Sequence, residues 1–186
     1  RGVSQHLTGK TIGIVGMGNI GKTLARLLKG FDCRLQYCDL CRLPPEMESS
    51  LGITHAPLEE LLRTSDAVTL HVPLTPETKN MINARTLATM KKGAILVNTA
   101  RGGLVDEAAL IDALRKGTIA GAGLDVFEAE PLPADHPFLS MDNVGLSPHL
   151  AGSTLNNLPI RTKHIRKNLE AFLSGGEISQ ADAIVA

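Results

Sequence analysis

Short apolar runs alternate with amphipathic stretches along nearly the whole of this 186-residue chain. The runs predict six strands, and the stretches between them predict helices that each turn one apolar face inward. The predicted strands cover residues 11–15, 34–38, 67–72, 94–98, 119–124 and 144–147. The predicted helices cover residues 20–29, 58–63, 84–90, 107–116 and 158–173, the last of which ends at a glycine pair.

Strand, helix and strand repeat at a spacing that is typical of right-handed crossovers in a parallel sheet. The pattern therefore predicts an α/β fold, a Rossmann-type doubly wound parallel sheet with helices on both faces. In the first helix, Leu24, Leu27 and Leu28 share one side, which we expect to face the core. No internal repeat or long linker interrupts the pattern, so we expect a single domain over residues 1–186.

The composition fits a domain with an aliphatic core. Hydrophobic residues make up 43% of the chain and aromatic residues only 3%, which suits a parallel sheet covered on both faces. Basic and acidic residues are equal at 19 each, so no charge excess favours nucleic acid or an anionic membrane as a partner. The chain shows neither the roughly 20 apolar residues of a membrane helix nor a signal peptide at its start. We therefore expect a cytoplasmic protein.

Three cysteines, Cys33, Cys38 and Cys41, lie close together in the sequence. An odd number of cysteines in a chain with a large core argues against a disulfide framework. Cys38 and Cys41 form a C-x-x-C pair, which in some proteins marks metal or redox chemistry. A metal site needs further ligands and the chain has no second cysteine pair, so we predict packing at a strand end and no metal site.

The segment Gly16-Met17-Gly18-Asn19-Ile20-Gly21 is a glycine-rich turn between a predicted strand and a predicted helix. In dinucleotide-binding turns the first glycine permits the tight turn, the second admits the pyrophosphate and the third lets helix and strand pack closely. The phosphates then lie on the unpaired N–H groups of the helix N-terminus. The pattern alone is a weak signal, but this context strengthens it.

Asp39 ends the next predicted strand, about 20 residues after the turn, where an acidic residue binds the adenosine ribose of NAD. A carboxylate there accepts hydrogen bonds from the ribose hydroxyls and repels a 2′-phosphate, so NAD is favoured over NADP. Arg42 lies three residues further on and leaves NADP open as an alternative. A structural glycine turn that binds no ligand is the other interpretation of this segment.

Further motifs follow the glycine turn along the chain. They are His71-Val72-Pro73-Leu74-Thr75, Val97-Asn98-Thr99-Ala100-Arg101-Gly102, Asp125-Val126-Phe127-Glu128-Ala129-Glu130-Pro131 and Ser147-Pro148-His149-Leu150-Ala151-Gly152. In this order they resemble the cofactor domain of the D-isomer-specific 2-hydroxyacid dehydrogenases, from about residue 7 to residue 176. The resemblance implies an NAD-dependent oxidoreductase that acts on a small 2-hydroxy or 2-keto acid.

The resemblance implies that Arg101, Glu130 and His149 are the catalytic residues. An arginine suits the substrate carboxylate because its planar fork binds a carboxylate through two hydrogen bonds. His149 would give a proton to the reduced keto oxygen or take it back in the reverse reaction. Glu130 would orient the imidazole and favour its protonated form. Composition alone leaves Glu128 as an alternative carboxylate and a solvated charge as the alternative role of Arg101.

The resemblance also implies which residues surround the cofactor, with Asp125 as the acceptor for the carboxamide nitrogen. The full set is Gly16, Gly18, Asn19, Ile20, Gly21, Asp39, His71, Val72, Pro73, Thr78, Thr99, Ala100, Arg101, Asp125, His149 and Gly152. After Gly152 the family pattern is replaced by Leu155-Asn156-Asn157-Leu158-Pro159, so we expect a different loop shape there.

The resemblance further implies a separate substrate domain, nearly all of which we expect to lie outside this chain. We therefore expect the chain to bind NAD and to turn over 2-keto acids poorly by itself, because domain closure normally completes such a site. A homodimer is expected from the family. The alternatives are a non-catalytic NAD-sensing module of the corepressor type, the phosphite dehydrogenase branch and a purely structural or dimerising remnant.

Overall fold

A computed structural model describes residues 6–178 of the chain. The strands in this range are β1 (Thr11–Val15), β2 (Arg34–Cys38), β3 (Ile53–His55), β4 (Ala67–Leu70), β5 (Ile95–Asn98), β6 (Gly121–Leu124) and β7 (Val144–Leu146). The α-helices are α1 (Asn19–Leu28), α2 (Pro45–Leu51), α3 (Leu58–Thr64), α4 (Ala84–Thr89), α5 (Glu107–Arg115) and α6 (Asn157–Leu173). Short 3₁₀ turns lie at Lys29–Phe31, Gly102–Leu104 and Pro137–Ser140.

The strands form one parallel sheet in the order β3-β2-β1-β4-β5-β6-β7. From β1 the chain moves outward to β2 and β3, and it then returns to the other side of β1 to place β4. The order in which strands are added therefore reverses between β1 and β4, and in such sheets ligands bind outside the carboxyl ends of the strands at this switch point. The predicted Rossmann-type doubly wound fold is confirmed.

Aliphatic side chains fill two hydrophobic clusters. One contains Ile12 and Ile14 of β1 together with Ala25 of α1 and residues of α2 and β3. The other contains Leu61 of α3 and Leu96 of β5 together with residues of β4, β6, α4 and α5. Central strands buried in this way read as continuous apolar runs, which is why the sequence pattern locates them.

The sequence pattern missed one strand and one helix, because the segment from Pro44 to His55 resembles a loop. Pro45 is the first residue of α2, a position where proline is favoured because its missing N–H would have no partner within the helix. β3 has only three residues and pairs with β2 alone at the edge of the sheet. The prediction of six strands is therefore corrected to seven.

The buried face of α1 also differs from the prediction. Leu27 is 66% exposed, whereas Gly21, Ala25 and Leu28 are buried. These three residues are spaced four and three positions apart, so they form one stripe along the helix. The small residues in this stripe let α1 lie close to the sheet. The prediction followed the large apolar residues only, so it did not identify glycine and alanine as buried positions.

The described residues divide into two compact units, one up to Pro148 and one from His149 onward. The first unit holds the sheet and α1 to α5. The second holds the loop that begins at His149 and α6, in which Arg166 pairs with Glu170 one turn later at 2.7 Å. The expectation of a single domain over residues 1–186 stays a prediction. Among residues 6–178, no helix has both the length and the apolarity needed to cross a membrane.

Asp66 ties together the amino ends of three adjacent strands. Its carboxylate accepts the N–H of Thr11 at 2.8 Å and pairs with Lys91 at 2.5 Å. Its backbone N–H donates to Thr11, and its carbonyl accepts the N–H of Ile95. Partial burial acts to raise the pKa of this carboxyl, but the bonds from Lys91 and Thr11 outweigh it and leave the pKa below its usual value.

We expect Asp66→Asn to lower the free energy of unfolding by about 1–2 kcal/mol at neutral pH, because a charged hydrogen-bond acceptor is lost. A lowered folded-state pKa adds stability that is present above the unfolded pKa and is lost as the pH falls through the folded value. The difference between the two proteins should therefore shrink on acidification, which urea unfolding at a series of pH values measures. Asp112→Asn is the control, since Asp112 pairs with Lys116 on an exposed helix face. Equal effects of the two changes would contradict this role of Asp66.

Candidate cofactor and catalytic site

A cavity of about 530 Å³ lies at the carboxyl ends of β1, β4 and β5, where the strand order reverses. Seven of the predicted cofactor residues line it, together with Leu74 of the same motif as His71. The seven are Ile20, His71, Val72, Pro73, Thr99, Ala100 and Arg101. A second groove of about 400 Å³ shares Ile20 and His71 with the first and extends along α1 from Asn19 to Leu27. The structure thus brings these segments to one edge of the sheet, as ligand binding at a switch point requires.

The glycine turn has a separate physical reason for each of its glycines. Gly16 adopts a φ of +98°, and a Cβ there would lie 2.7 Å from the carbonyl of His71. A Cβ on Gly21 would lie 2.1 Å from the carbonyl oxygen of Gly16, so this glycine lets α1 start directly against the turn. Gly18 precedes the first residue of α1, and a Cβ there would enter open space. That open space, at a helix N-terminus, is where a bound pyrophosphate fits.

Asp39 links the end of β2 to the glycine turn. Its carboxylate accepts the N–H of Met17 at 2.6 Å through one oxygen and the N–H of Cys41 at 3.0 Å through the other. Each carboxylate oxygen has a further lone pair that can accept a ribose hydroxyl. Asp39 is thus both a candidate ribose ligand and a support for the turn, and sequence reasoning had seen only the first role.

His71 and the loop after it form one wall of the cavity. The N–H of His71 continues the β1–β4 ladder by donating to Val15 at 2.7 Å, and its Nε2 lies 3.0 Å from the hydroxyl of Thr69. Burial lowers the pKa of this imidazole, which favours its neutral form. Thr78, predicted as a cofactor residue, donates from its hydroxyl to the carbonyl of Pro73 at 2.7 Å. In this structure Thr78 therefore holds the loop that lines the cavity.

Asn98 positions the segment that carries Arg101. Its side chain is 1% exposed, donates to the carbonyl of Arg101 at 2.8 Å and accepts the N–H of Ala100 at 3.1 Å. The guanidinium of Arg101 is exposed and donates to the carbonyl of Ala100 at 2.6 Å. Sequence reasoning did not select Asn98 as a site residue. The available signal was a single amide at the end of an apolar strand.

The segment after Arg101 is packed against the loop that carries Glu130. A Cβ on Gly102 would lie 2.0 Å from the carbonyl of Phe127, so only glycine allows these two backbones to meet. Glu130 is exposed, and its carboxylate accepts the N–H of Phe127 at 2.9 Å. The N–H of Glu128 donates to the carboxylate of Glu107 at the start of α5. These contacts place the Arg101 and Glu130 segments side by side.

Asp125, the predicted acceptor for the carboxamide, is 4% exposed and directly follows β6. Its N–H donates to the carbonyl of Asn98 at 3.0 Å, and its carboxylate accepts the hydroxyl of Ser147. The two contacts join the carboxyl ends of β5, β6 and β7. Asp125 therefore stands at the same edge of the sheet as the cavity.

His149 and Gly152 belong to the second unit. His149 has a φ of +56°, a left-handed conformation that is uncommon for residues other than glycine. Strained backbone of this kind concentrates at functional positions. The carbonyl of Gly152 accepts the side-chain N–H of Asn157 at 3.3 Å, next to the first residues of α6.

The donors of the site suit a dinucleotide better than a metal ion. The glycine turn offers backbone N–H groups at a helix N-terminus, and two adjoining grooves give room for an extended ligand. Within residues 6–178, no group of three or more His, Cys, Asp or Glu side chains is arranged to hold a metal ion. Cys33, Cys38 and Cys41 are free thiols.

The sequence matches a family model over residues 1–151, described as the D-isomer specific 2-hydroxyacid dehydrogenase, NAD binding domain. A glyoxylate reductase from Korarchaeum cryptofilum is 51% identical over 167 residues, which are 90% of this chain and 50% of that protein. The chain thus spans about half the length of the curated relatives it matches.

Solved structures agree with this match. The TT0316 protein from Thermus thermophilus has a TM-score of 0.86 and 42% identity, over 94% of this chain and 54% of that one. D-lactate dehydrogenase with NAD⁺ from Lactobacillus jensenii has a TM-score of 0.86 and 34% identity, over 99% of this chain and 58% of that one.

Replacing Gly18 with alanine should weaken NADH binding about tenfold, or roughly 1.4 kcal/mol, without destabilising the fold. The added methyl group meets no protein atom, so it obstructs only a ligand that approaches the turn closely. A fluorescence titration with NADH and a thermal melt measure the two effects. Gly30→Ala, whose Cβ also enters open space at the far end of α1, is the matched control. An unchanged NADH affinity in Gly18→Ala would show that no ligand passes over this glycine.

Removal of the Asn98 side chain should cost both stability and affinity. Asn98→Ala leaves the N–H of Ala100 and the carbonyl of Arg101 without their buried partner, a loss of about 1–3 kcal/mol in unfolding free energy. The loosened segment should also bind NADH more weakly. Asn83→Ala provides the comparison, since Asn83 caps α4 away from the cavity and should cost about 0.5–2 kcal/mol of stability with no change in NADH affinity. Equal affinities for the two variants would refute this positioning role.

Proposed function

The chain belongs to the D-isomer specific 2-hydroxyacid dehydrogenase family as its NAD-binding domain, and we propose that it serves the NADH-dependent reduction of glyoxylate or a similar small 2-keto acid. The observation that carries the proposal is the cavity at the switch point, which is lined both by Ile20 of the glycine turn and by Arg101. The glyoxylate reductases among its relatives, at about 50% identity, support glyoxylate as the substrate.

The binding groups each match one part of the dinucleotide. The N–H groups at the start of α1 would hold the pyrophosphate, with Gly18 allowing its approach. Asp39 would accept the hydroxyls of the adenosine ribose. Val72, Pro73 and Thr99 would border the nicotinamide end, and Asp125 would accept its carboxamide N–H. NADH, when bound, supplies the hydride.

Arg101 would bind the substrate carboxylate and polarise the keto oxygen. Its guanidinium is exposed at the cavity and donates only to a neighbouring carbonyl among its described hydrogen bonds. A carboxylate is a stronger acceptor than that carbonyl, so Arg101 can exchange one for the other when substrate enters. The bonds from Asn98 keep the Arg101 backbone in place during this exchange.

His149 would donate a proton to the keto oxygen as the hydride arrives at the adjacent carbon. This donation requires a protonated imidazole, and return of the proton in the reverse reaction requires that the imidazole starts neutral. Glu130 would orient the ring. The roles of all three residues rest on the family resemblance and on the residue types, and the left-handed backbone of His149 further supports its own role.

Two further expectations follow from the family. We expect the 186-residue chain alone to bind NADH and to reduce glyoxylate only weakly, because its relatives are about twice as long and their remaining halves would complete the substrate pocket. The homodimer also stays a prediction, which light scattering of the purified chain tests.

The catalytic roles are testable in a chimera in which this chain replaces the matching segment of the Korarchaeum cryptofilum glyoxylate reductase. His149→Gln should lower the rate of glyoxylate reduction by about 10²–10⁴-fold while NADH affinity changes little. In the unsubstituted chimera, reduction should slow and oxidation should quicken as the pH rises, and His149→Gln should remove both trends. His164→Gln, a change on an exposed part of α6, is the control.

A chimera that binds NADH and keeps its rate and pH dependence in His149→Gln would contradict the assignment of His149. A chain that fails to bind NADH at all would contradict the proposed function as a whole.

A further inference from the structure

Arg42 is held by Glu48 in the loop that follows Asp39. Its Nε lies 3.0 Å from one carboxylate oxygen of Glu48, and its terminal nitrogen lies 3.1 Å from the other. This two-point pairing joins the loop after β2 to the first turn of α2. The side chain of Arg42 is 66% exposed, whereas that of Glu48 is only 14% exposed. The acid is therefore the fixed partner and the arginine the movable one.

A buried tyrosine fixes Glu48. Tyr37 of β2 is fully buried, and its hydroxyl donates to Glu48 at 2.7 Å while it accepts the N–H of Leu43 at 2.8 Å. The hydrogen bond from Arg42, and to a smaller extent the one from Tyr37, keeps the pKa of Glu48 below its usual value. Glu48 is therefore ionised at neutral pH and aimed at the loop that carries Arg42.

This loop is where a dinucleotide is recognised as NAD or NADP. The carboxylate of Asp39 would meet the ribose hydroxyls, and a 2′-phosphate would replace one of them. Between Asp39 and Pro44, Arg42 is the one basic residue in the sequence. A 2′-phosphate that entered here would need this guanidinium, because arginine is the usual partner for a phosphate at this position.

We propose that Glu48 is a specificity-determining residue that keeps the domain selective for NAD by withholding Arg42 from a 2′-phosphate. The inference rests on the proposed function, since it assumes that the dinucleotide binds with its adenosine ribose at Asp39. Selectivity then has two parts: Asp39 repels the extra phosphate, and Glu48 occupies the cation that would attract it. The Arg42 that the sequence left as a possible NADP ligand is thereby assigned a different role.

The strength of the ion pair between Arg42 and Glu48 sets the expected change in NADPH affinity. Ion pairs with one exposed partner are weak, and they correspond to at most about a fivefold change in an equilibrium. Release of Arg42 should therefore raise NADPH affinity by about fivefold while Asp39 is still present. Removing the charge of Asp39 as well should raise NADPH affinity by more than the product of the two single effects. Without that charge the 2′-phosphate is no longer repelled, so it can reach the freed Arg42.

The test is a pair of fluorescence titrations, with NADH and with NADPH, on the 186-residue chain and its variants. Glu48→Gln keeps an acceptor for the Tyr37 hydroxyl but removes the charge that holds Arg42. We expect it to raise NADPH affinity about fivefold and to leave NADH affinity within twofold. Glu48→Gln combined with Arg42→Gln should return NADPH affinity to the starting value. Glu46→Gln removes a charge from the same helix at an exposed position and should change neither affinity.

Two results would overturn the inference. One is an unchanged ratio of NADPH to NADH affinity in Glu48→Gln, with a thermal melt that shows a folded protein. The other is a gain in NADPH affinity that persists when Arg42 is also replaced, since the gain would then come from net charge alone. Failure of the unsubstituted chain to bind NADH is a distinct outcome, which overturns the proposed function together with this inference.

Discussion

The parallel ladder of hydrogen bonds is the constraint on which the site depends, because it continues one residue beyond the ends of the central strands. Gly16 donates to Cys38, His71 to Val15, and Asp125 to Asn98, all at 2.7 to 3.0 Å. Each of these residues begins a loop, so the loops leave the sheet from one level and in one direction. These bonds fix where the loops after β1, β4 and β6 leave the sheet, and the cavity lies at the same ends of the strands.

Polar side chains also hold the loops that follow the strands. Asp39, Thr78 and Asn98 each bond to backbone groups of the loop they support. A loop at the sheet edge leaves N–H and C=O groups without ladder partners, and these side chains satisfy them. The result is a binding edge whose shape is set before any ligand arrives, which reduces the ordering that binding would require.

The sequence predicted the sheet well because buried parallel strands and crossover helices leave a strong apolar signal. β1 and β2 have the predicted bounds, and the glycine turn lies where it was expected. β3 and α2 were missed because each is short and because Pro44 and Pro45 suggest a loop. The roles of Asn98 and Glu48 depend on side-chain hydrogen bonds to nearby loop residues and to Tyr37, which hydrophobic periodicity does not contain. Leu27 was misplaced because the buried stripe of α1 is made of glycine and alanine as well as leucine.

The bond between Asp39 and the N–H of Met17 has a consequence for how such a domain can change over evolutionary time. The same carboxylate that would read the ribose also shapes the turn that would carry the pyrophosphate, so a mutation at this position alters two recognition events together. If cofactor preference changed through substitution of Asp39 alone, the intermediate proteins would also bind the pyrophosphate more weakly. Changes on α2, where Glu48 contacts the loop through Arg42, offer a path on which dinucleotide preference varies while Asp39 keeps its bond to the turn.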